Sequence, residues 1–200
     1  SKFVSDEALT AVKKVGLEGL KLGGERKEAT VLFSDIRGFT SMSEKMEPED
    51  VVNLLNTYYD KKTEIIHNFG GDIDKFVGDE VMAIFKGDQM ANQAVDCAVE
   101  IQAEIQRLNR ELGKNIEIGI GINSGSMVMG AMGSKDRMNF TVIGDNVNLA
   151  SRLCSAANAG EVIISENTEK LLVDTNSKMI KLDPIQVKGK EKPIQIYRVE

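Results

Sequence analysis

The chain has 200 residues, with 25 Lys and Arg against 31 Asp and Glu, a formal net charge of -6 and 42% hydrophobic residues. That length suits one domain that buries about 70% of its unfolded surface without disulfide staples, and the acidic balance argues against a general nucleic-acid binder. No apolar run approaches the roughly 18 residues needed to cross a bilayer, and no leader peptide is visible. Cys97 and Cys154 both fall in helical patterns, so reduced, buried thiols and a cytoplasmic setting are expected. One histidine, His67, leaves too little for a histidine zinc cluster or Ser-His-Asp chemistry. The start at Ser1, without a methionine, points to a piece of a longer protein.

Along the chain, residues 1–22 read as a weak amphipathic helix with Ala8, Val12, Val15 and Leu22 on one side, interrupted by Gly16 and Gly19. Gly23-Gly24-Glu25-Arg26 then reads as a hinge. Residues 1–24 are thus either a frayed terminus or a linker from an upstream sensor, and residues 25–200 form the main domain. A strand over 29–34 is followed by a helix opening at Pro48, with Val51, Leu55, Tyr58 or Tyr59, Ile65 and Phe69 toward the core, stopped by Gly70-Gly71. A hairpin of 73–77 and 81–85 comes next. Ala94, Ala98, Ile101, Ile105, Leu108 and Leu112 mark a core-facing helix ended by Gly113.

Ile116, Ile118, Ile120 and Ile122 alternate with Glu117, Gly119 and Gly121, which predicts a strand whose glycine face admits a closely packed helix or a ligand. Asn123-Ser124-Gly125-Ser126 reads as a turn, 127–129 as a strand, 131–138 as a polar loop and 140–143 as another strand. Asp145 can cap a helix to about Ala157, and strands over 162–164, 180–187 and 194–199 close the chain. Strands alternating with helices, but including hairpins, indicate an α+β fold with a mixed or antiparallel sheet.

Two aspartates stand out. Asp35 ends an apolar strand in Phe33-Ser34-Asp35-Ile36-Arg37-Gly38-Phe39-Thr40, and Asp79 sits in the hairpin turn of Asp74-Lys75-Phe76-Val77-Gly78-Asp79. If their strands are neighbours, the carboxylates converge as hard-oxygen ligands for magnesium or manganese with a phosphorylated substrate. Lys75 shares a strand face with Ile73 and Val77, and either reaches solvent at a sheet edge or points at a polar partner. Asn148 and Arg152 lie four apart on one helix face, suited to ribose and phosphate oxygens or simply to water. Lys188, in a Lys-Gly turn, is a phosphate contact or a loop charge.

Together with Phe140-Thr141-Val142-Ile143-Gly144, Val147-Asn148-Leu149-Ala150-Ser151-Arg152-Leu153 and Val187-Lys188-Gly189, these segments resemble the catalytic domain of class III adenylate and guanylate cyclases, bacterial type, over nearly the whole chain. The resemblance implies a ferredoxin-like α+β core, and Asp35, Asp79 and the carbonyl of Ile36 as ligands of two divalent ions, Mg2+ or Mn2+. Lys75 and Thr141 take the base-selecting positions. Asn148 orients the ribose, Arg152 stabilises charge at the α-phosphate, Lys188 holds the terminal phosphates, and Arg137 is a further candidate for that task. A lysine ammonium donates to adenine N1, where guanine presents a donor of its own, so ATP is the implied substrate and cyclic AMP the product. The family's sites form between two domains arranged head to tail, and this chain carries both halves, as a homodimer requires. It also implies an upstream sensor in the full-length protein and no nucleic-acid or membrane contact by this domain. A diguanylate cyclase fits less well: Val77-Gly78-Asp79-Glu80-Val81 lacks the first glycine and the phenylalanine of that family's hairpin. A guanylate cyclase and a catalytically silent nucleotide-binding or dimerisation module are the remaining alternatives.

Overall fold

A computed structural model describes Lys13 and residues 23–134, 138–187 and 191–200. The helix expected over 1–22 lies outside the described residues, Lys13 apart. Strand β1 (Gly23–Ile36) is the spine of the molecule. Its first residues correct the expected hinge: they pair with the far half of β4 (Ile118–Gly133), Gly23 against Ala131 and Glu28 against Ser126. Glycine serves close approach there, since a Cβ on Gly130 would lie 2.1 Å from the Gly23 carbonyl oxygen. From Ala29 to Phe33 the strand is buried on both faces.

After β1 come α1 (Phe39–Ser43), α2 (Pro48–Asn68), the hairpin β2 (Asp72–Val77) and β3 (Glu80–Phe85), and α3 (Met90–Leu112), which leads into β4. The order β2-β3-β1-β4, antiparallel throughout, is the ferredoxin-like βαββαβ arrangement. Beyond it, β5 (Met138–Ile143) folds back on β4, and α4 (Asp145–Ala156) leads to β6 (Val162–Ser165), which runs parallel to β4. The short α5 (Glu166–Glu169), β7 (Met179–Lys181) and β8 (Ile196–Val199) complete a mixed sheet.

Two apolar layers cover the sheet. Leu32, Ile36, Ile118, Ile120 and Ile122 pack beneath α2 and α3 with Leu54, Tyr58, Ile66, Ile101 and Ile105. On the opposite face Val31, Phe33, Met82 and Ile84 meet Met127, Met129, Val142, Val147, Ala150 and Cys154. Both cysteines are free and buried, as expected, and no helix among the described residues is long and apolar enough to cross a membrane.

Five local expectations are corrected. In α2, Tyr58 and Ile65 are buried and Leu55 and Phe69 pack half-buried against the core as expected, while the fully buried stripe also takes in Leu54, Ile66 and Lys62, a lysine at a core position that disguises the period, and Val51 stays outside it. In α3, Leu112 is exposed, and Asn109 takes the buried place, bonding the Tyr58 hydroxyl and both backbone groups of Ile116. The expected turn at 123–126 is continuous strand, and β4 runs on to Gly133 where a polar loop was expected. Its polar residues are interior: Thr30 and Ser124 hydroxyls lie 2.7 Å apart, Ser124 and Thr168 2.9 Å apart, and Ser165 donates to Asn123 at 2.6 Å. Finally, Gly144, not Asp145, is the N-cap of α4, without a side-chain cap.

Candidate active site

β1 delivers Asp35 at its end, and Gly38, at φ 67°, lets the chain turn into α1. β3 lies beside β1 with Ser34 opposite Val81, so the Gly78-Asp79 turn of the hairpin arrives at the same edge. Gly78 adopts φ 60°, the left-handed conformation a tight turn needs. The turn is propped by Tyr59, whose hydroxyl bonds the Gly78 carbonyl and whose ring lies 4.5 Å from that of Phe76. The two carboxylates therefore converge: the Ile36 N–H donates to Asp79 Oδ2 at 2.8 Å, which joins both turns directly.

Burial pushes the Asp35 carboxyl up, Arg37 opposes that, the Asp79 charge adds to it and Lys62 opposes it. Glu80 is pushed up by burial and by both aspartates, so the negative field spans three acids. Arg37 Nη2 lies 2.6 Å from Asp35 Oδ1 as an ion pair, yet its hydrogen bonds go to Cys154, to the carbonyl at 2.6 Å and to Sγ at 3.7 Å. Asp35 Oδ1 is thus buried without a hydrogen bond. A buried carboxylate oxygen held by an ion pair without a hydrogen bond, beside a second carboxylate, is a fit donor set for a divalent ion. Among the described residues no group of three or more His, Cys, Asp or Glu is arranged to hold a metal. A cation would therefore complete its shell from backbone carbonyl, water or phosphate.

Sequence reasoning missed two members of this neighbourhood. Lys62 is 1% exposed, and burial pushes its ammonium down to about 8, opposed by the Asp79 and Asp35 charges. Asp74, whose side chain is 2% exposed, lies at the other pair of residues. Lys75 Nζ donates to Thr141 Oγ1 at 2.9 Å, the Thr141 hydroxyl donates to Asp74 Oδ2 at 2.8 Å, and Lys75 and Asp74 form an ion pair at 3.2 Å. Burial raises the Asp74 carboxyl, with Thr141 and Lys75 opposing. A bulge between Ile73 and Lys75 shifts the register of β2, which corrects the expectation that Lys75 simply shares the face of Ile73 and Val77. No sequence signal marks that bulge.

Asn148 and Arg152 sit on the exposed face of α4, whose other face carries the buried Val147, Leu149, Ala150, Leu153 and Cys154. The helix approaches β4 closely at Gly121, where a Cβ would lie 2.0 Å from the Cys154 nitrogen and 2.5 Å from the Ala150 oxygen. Its first turn is tied down by Asn123, which donates to the Asn146 carbonyl at 2.9 Å, and by Asn146, which donates to the Ser126 carbonyl at 2.9 Å. Glycine on β4 thus seats a helix on this sheet face, as one branch of the expectation held. Arg137 and Lys188 lie outside the described residues.

Residues 24–200 match the family profile described as adenylate and guanylate cyclase catalytic domain. The chain is 38% identical over 213 residues to the terminal-differentiation-specific adenylate cyclase of Dictyostelium discoideum, all of the chain being covered, and spans 10% of that protein's length. The crystal structure of the adenylyl cyclase CyaB from P. aeruginosa superposes with a TM-score of 0.85 at 41% identity, over 90% of this chain and 96% of that one. A guanylyl cyclase crystal structure matches with a TM-score of 0.80 at 37% identity, over 89% of this chain and 94% of that one.

Proposed function

The chain belongs to the adenylate and guanylate cyclase catalytic domain family, and we propose that it converts ATP to 3′,5′-cyclic AMP and pyrophosphate at sites shared by two copies. The observation that carries the choice of base is the Lys75, Thr141 and Asp74 cluster. The ammonium donates to adenine N1, and the Thr141 hydroxyl accepts from the adenine amino group. Asp74 holds both groups in place. A guanine base would bring its own N1–H against the ammonium, so GTP is the poorer substrate. The similarity to a guanylyl cyclase structure keeps GTP as the second reading.

Domains of this family generally use divalent ions. Here two, Mg2+ or Mn2+, would be held by Asp35, Asp79 and the Ile36 carbonyl, acidifying the ribose 3′-hydroxyl and offsetting phosphate charge. Asn148 orients the ribose so that its 3′-oxygen lies in line with the α-phosphorus. Arg152 stabilises the charge that accumulates as the new 3′-oxygen to phosphorus bond forms and the bond to pyrophosphate breaks. Lys188, with Arg137, holds the terminal phosphates. Family domains dimerise, and in a head-to-tail homodimer Asp35 and Asp79 of one copy face the remaining groups of the other. Residues 1–24 would join this unit, placed in the cytoplasm, to a sensor.

Incubation with ATP or GTP plus Mg2+ or Mn2+, followed by chromatography of the products, tests the reaction. Cyclic AMP should dominate, and no cyclic nucleotide from either substrate would refute it. Mixing Asp35→Ala with Asn148→Ala protein tests the shared site. Random exchange makes about half the dimers mixed, each with one intact site, so roughly a quarter of parental activity should return. No rescue under demonstrated subunit exchange would place the site within one chain.

A further inference from the structure

We propose that Arg37 is a positioning residue that stands in for the metal at Asp35 and couples cation loading of that carboxylate to helix α4. This rests on the reading of Asp35 as a metal ligand. The guanidinium lies in a slot left by a missing side chain: Asp35 is paired across β1 and β4 with Gly119. A Cβ on Gly119 would lie 2.2 Å from Nη2 and 2.6 Å from both Cζ and Nε of Arg37. The backbone of Arg37 is pinned at the same place, its N–H donating to the Glu117 carbonyl at 2.8 Å. From this slot Nη2 reaches the Asp35 carboxylate and, in the last turn of α4, both the carbonyl and the Sγ of Cys154.

The side chain is held by charge and shape more than by a full set of hydrogen bonds. Its Nε is buried with no partner. A guanidinium offers five donors, so one that leaves a buried donor unspent has little to lose by shifting. A divalent ion on Asp35 competes for the same oxygen and repels the guanidinium beside it. Arg37 must then slacken its hold on Asp35 while still attached to the end of α4, the helix that carries Asn148 and Arg152. In the two-copy arrangement proposed above, α4 serves the other site, so loading one metal site would be felt at its twin.

The test is Mn2+ binding to nucleotide-free protein, read by the paramagnetic resonance of free Mn2+. Arg37→Met removes the competing charge and should bind Mn2+ at least about fivefold more tightly. Arg37→Lys, which keeps the charge, should stay near the parent. Gly119→Ala evicts the guanidinium by collision with a flexible side chain, and should shift affinity in the same direction as Arg37→Met. Amide exchange around residues 154–158 should respond to Mn2+ in the parent and not in Arg37→Met. Unchanged or weaker Mn2+ binding in folded Arg37→Met, or a persisting exchange response, would overturn the proposal. Parent-like Mn2+ binding by Asp35→Ala would instead overturn the metal reading, and the proposal with it.

Discussion

Replacing Lys62 by methionine should stabilise the metal-free domain, by an amount the structure sets. The ammonium is fully buried on α2, and desolvation, only partly opposed by the Asp79 and Asp35 charges, moves it from its ordinary 10.5 to about 8. That displacement corresponds to roughly 3 kcal/mol. The folded chain binds this proton less tightly than the unfolded chain, so the parent is penalised in full below about pH 8 and recovers as pH climbs toward 10.5. Lys62→Met keeps the aliphatic volume and escapes the penalty. Its advantage should be about 3 kcal/mol at neutral pH, some 6–12 °C in melting temperature for a chain of this size, and should vanish near pH 10.5. The Cys154 thiol, pushed up by burial to about 12, titrates outside that window. Thermal melts of both proteins in EDTA, followed by circular dichroism across that range, measure the difference. A melting difference that stays constant from pH 7 to 10.5 would refute the reasoning, because only a titrating lysine makes it change.

Lys75→Glu combined with Thr141→Cys should lower use of ATP and raise the relative use of GTP, since a carboxylate accepts where the ammonium donated. Competition assays with both nucleotides give the ratio, and an unchanged ratio in a folded, active variant would return Lys75 to a mere surface cation. Gly121→Ala should displace α4, because its Cβ meets helix backbone rather than a movable side chain. The expected cost is about 1–3 kcal/mol of stability, together with loss of turnover as Asn148 and Arg152 move. Parent-like melting and kinetics would show that the close approach is not needed.

What was legible in the sequence is what repeats or what makes turns. The alternating isoleucines of β4, the period of α3 and the Gly78-Asp79 hairpin are local signals, and they placed Asp35 and Asp79 side by side. Misreadings arose where distant partners override local chemistry. Asn123, Ser124 and Ser126 have turn composition, yet a buried hydroxyl network and pairing with β1 hold them extended. Lys62 looks like a solvent residue because its sequence neighbours do not reveal that Asp35 and Asp79 lie near it. Asp74 went unread because its role depends on a bulge and on Thr141, a residue 67 positions away. Arg37 was legible as part of a motif but not as a contact to Cys154, 117 positions on.

The base-reading pair is built on a third residue, and this limits how specificity can drift. Asp74 is nearly sealed from water and is ion-paired with Lys75. A lone exchange of Lys75 for an acid would set two carboxylates against each other in a cramped, dry place, and the edge strand β2 would lose one of its two hydrogen bonds to Thr141 of β5. A lineage or a designer moving from adenine toward guanine therefore faces a valley: the intermediate is crippled before it is retrained. Neutralising Asp74 first, for instance as Asp74→Asn, opens a passable route, so the order of substitutions matters as much as their identity.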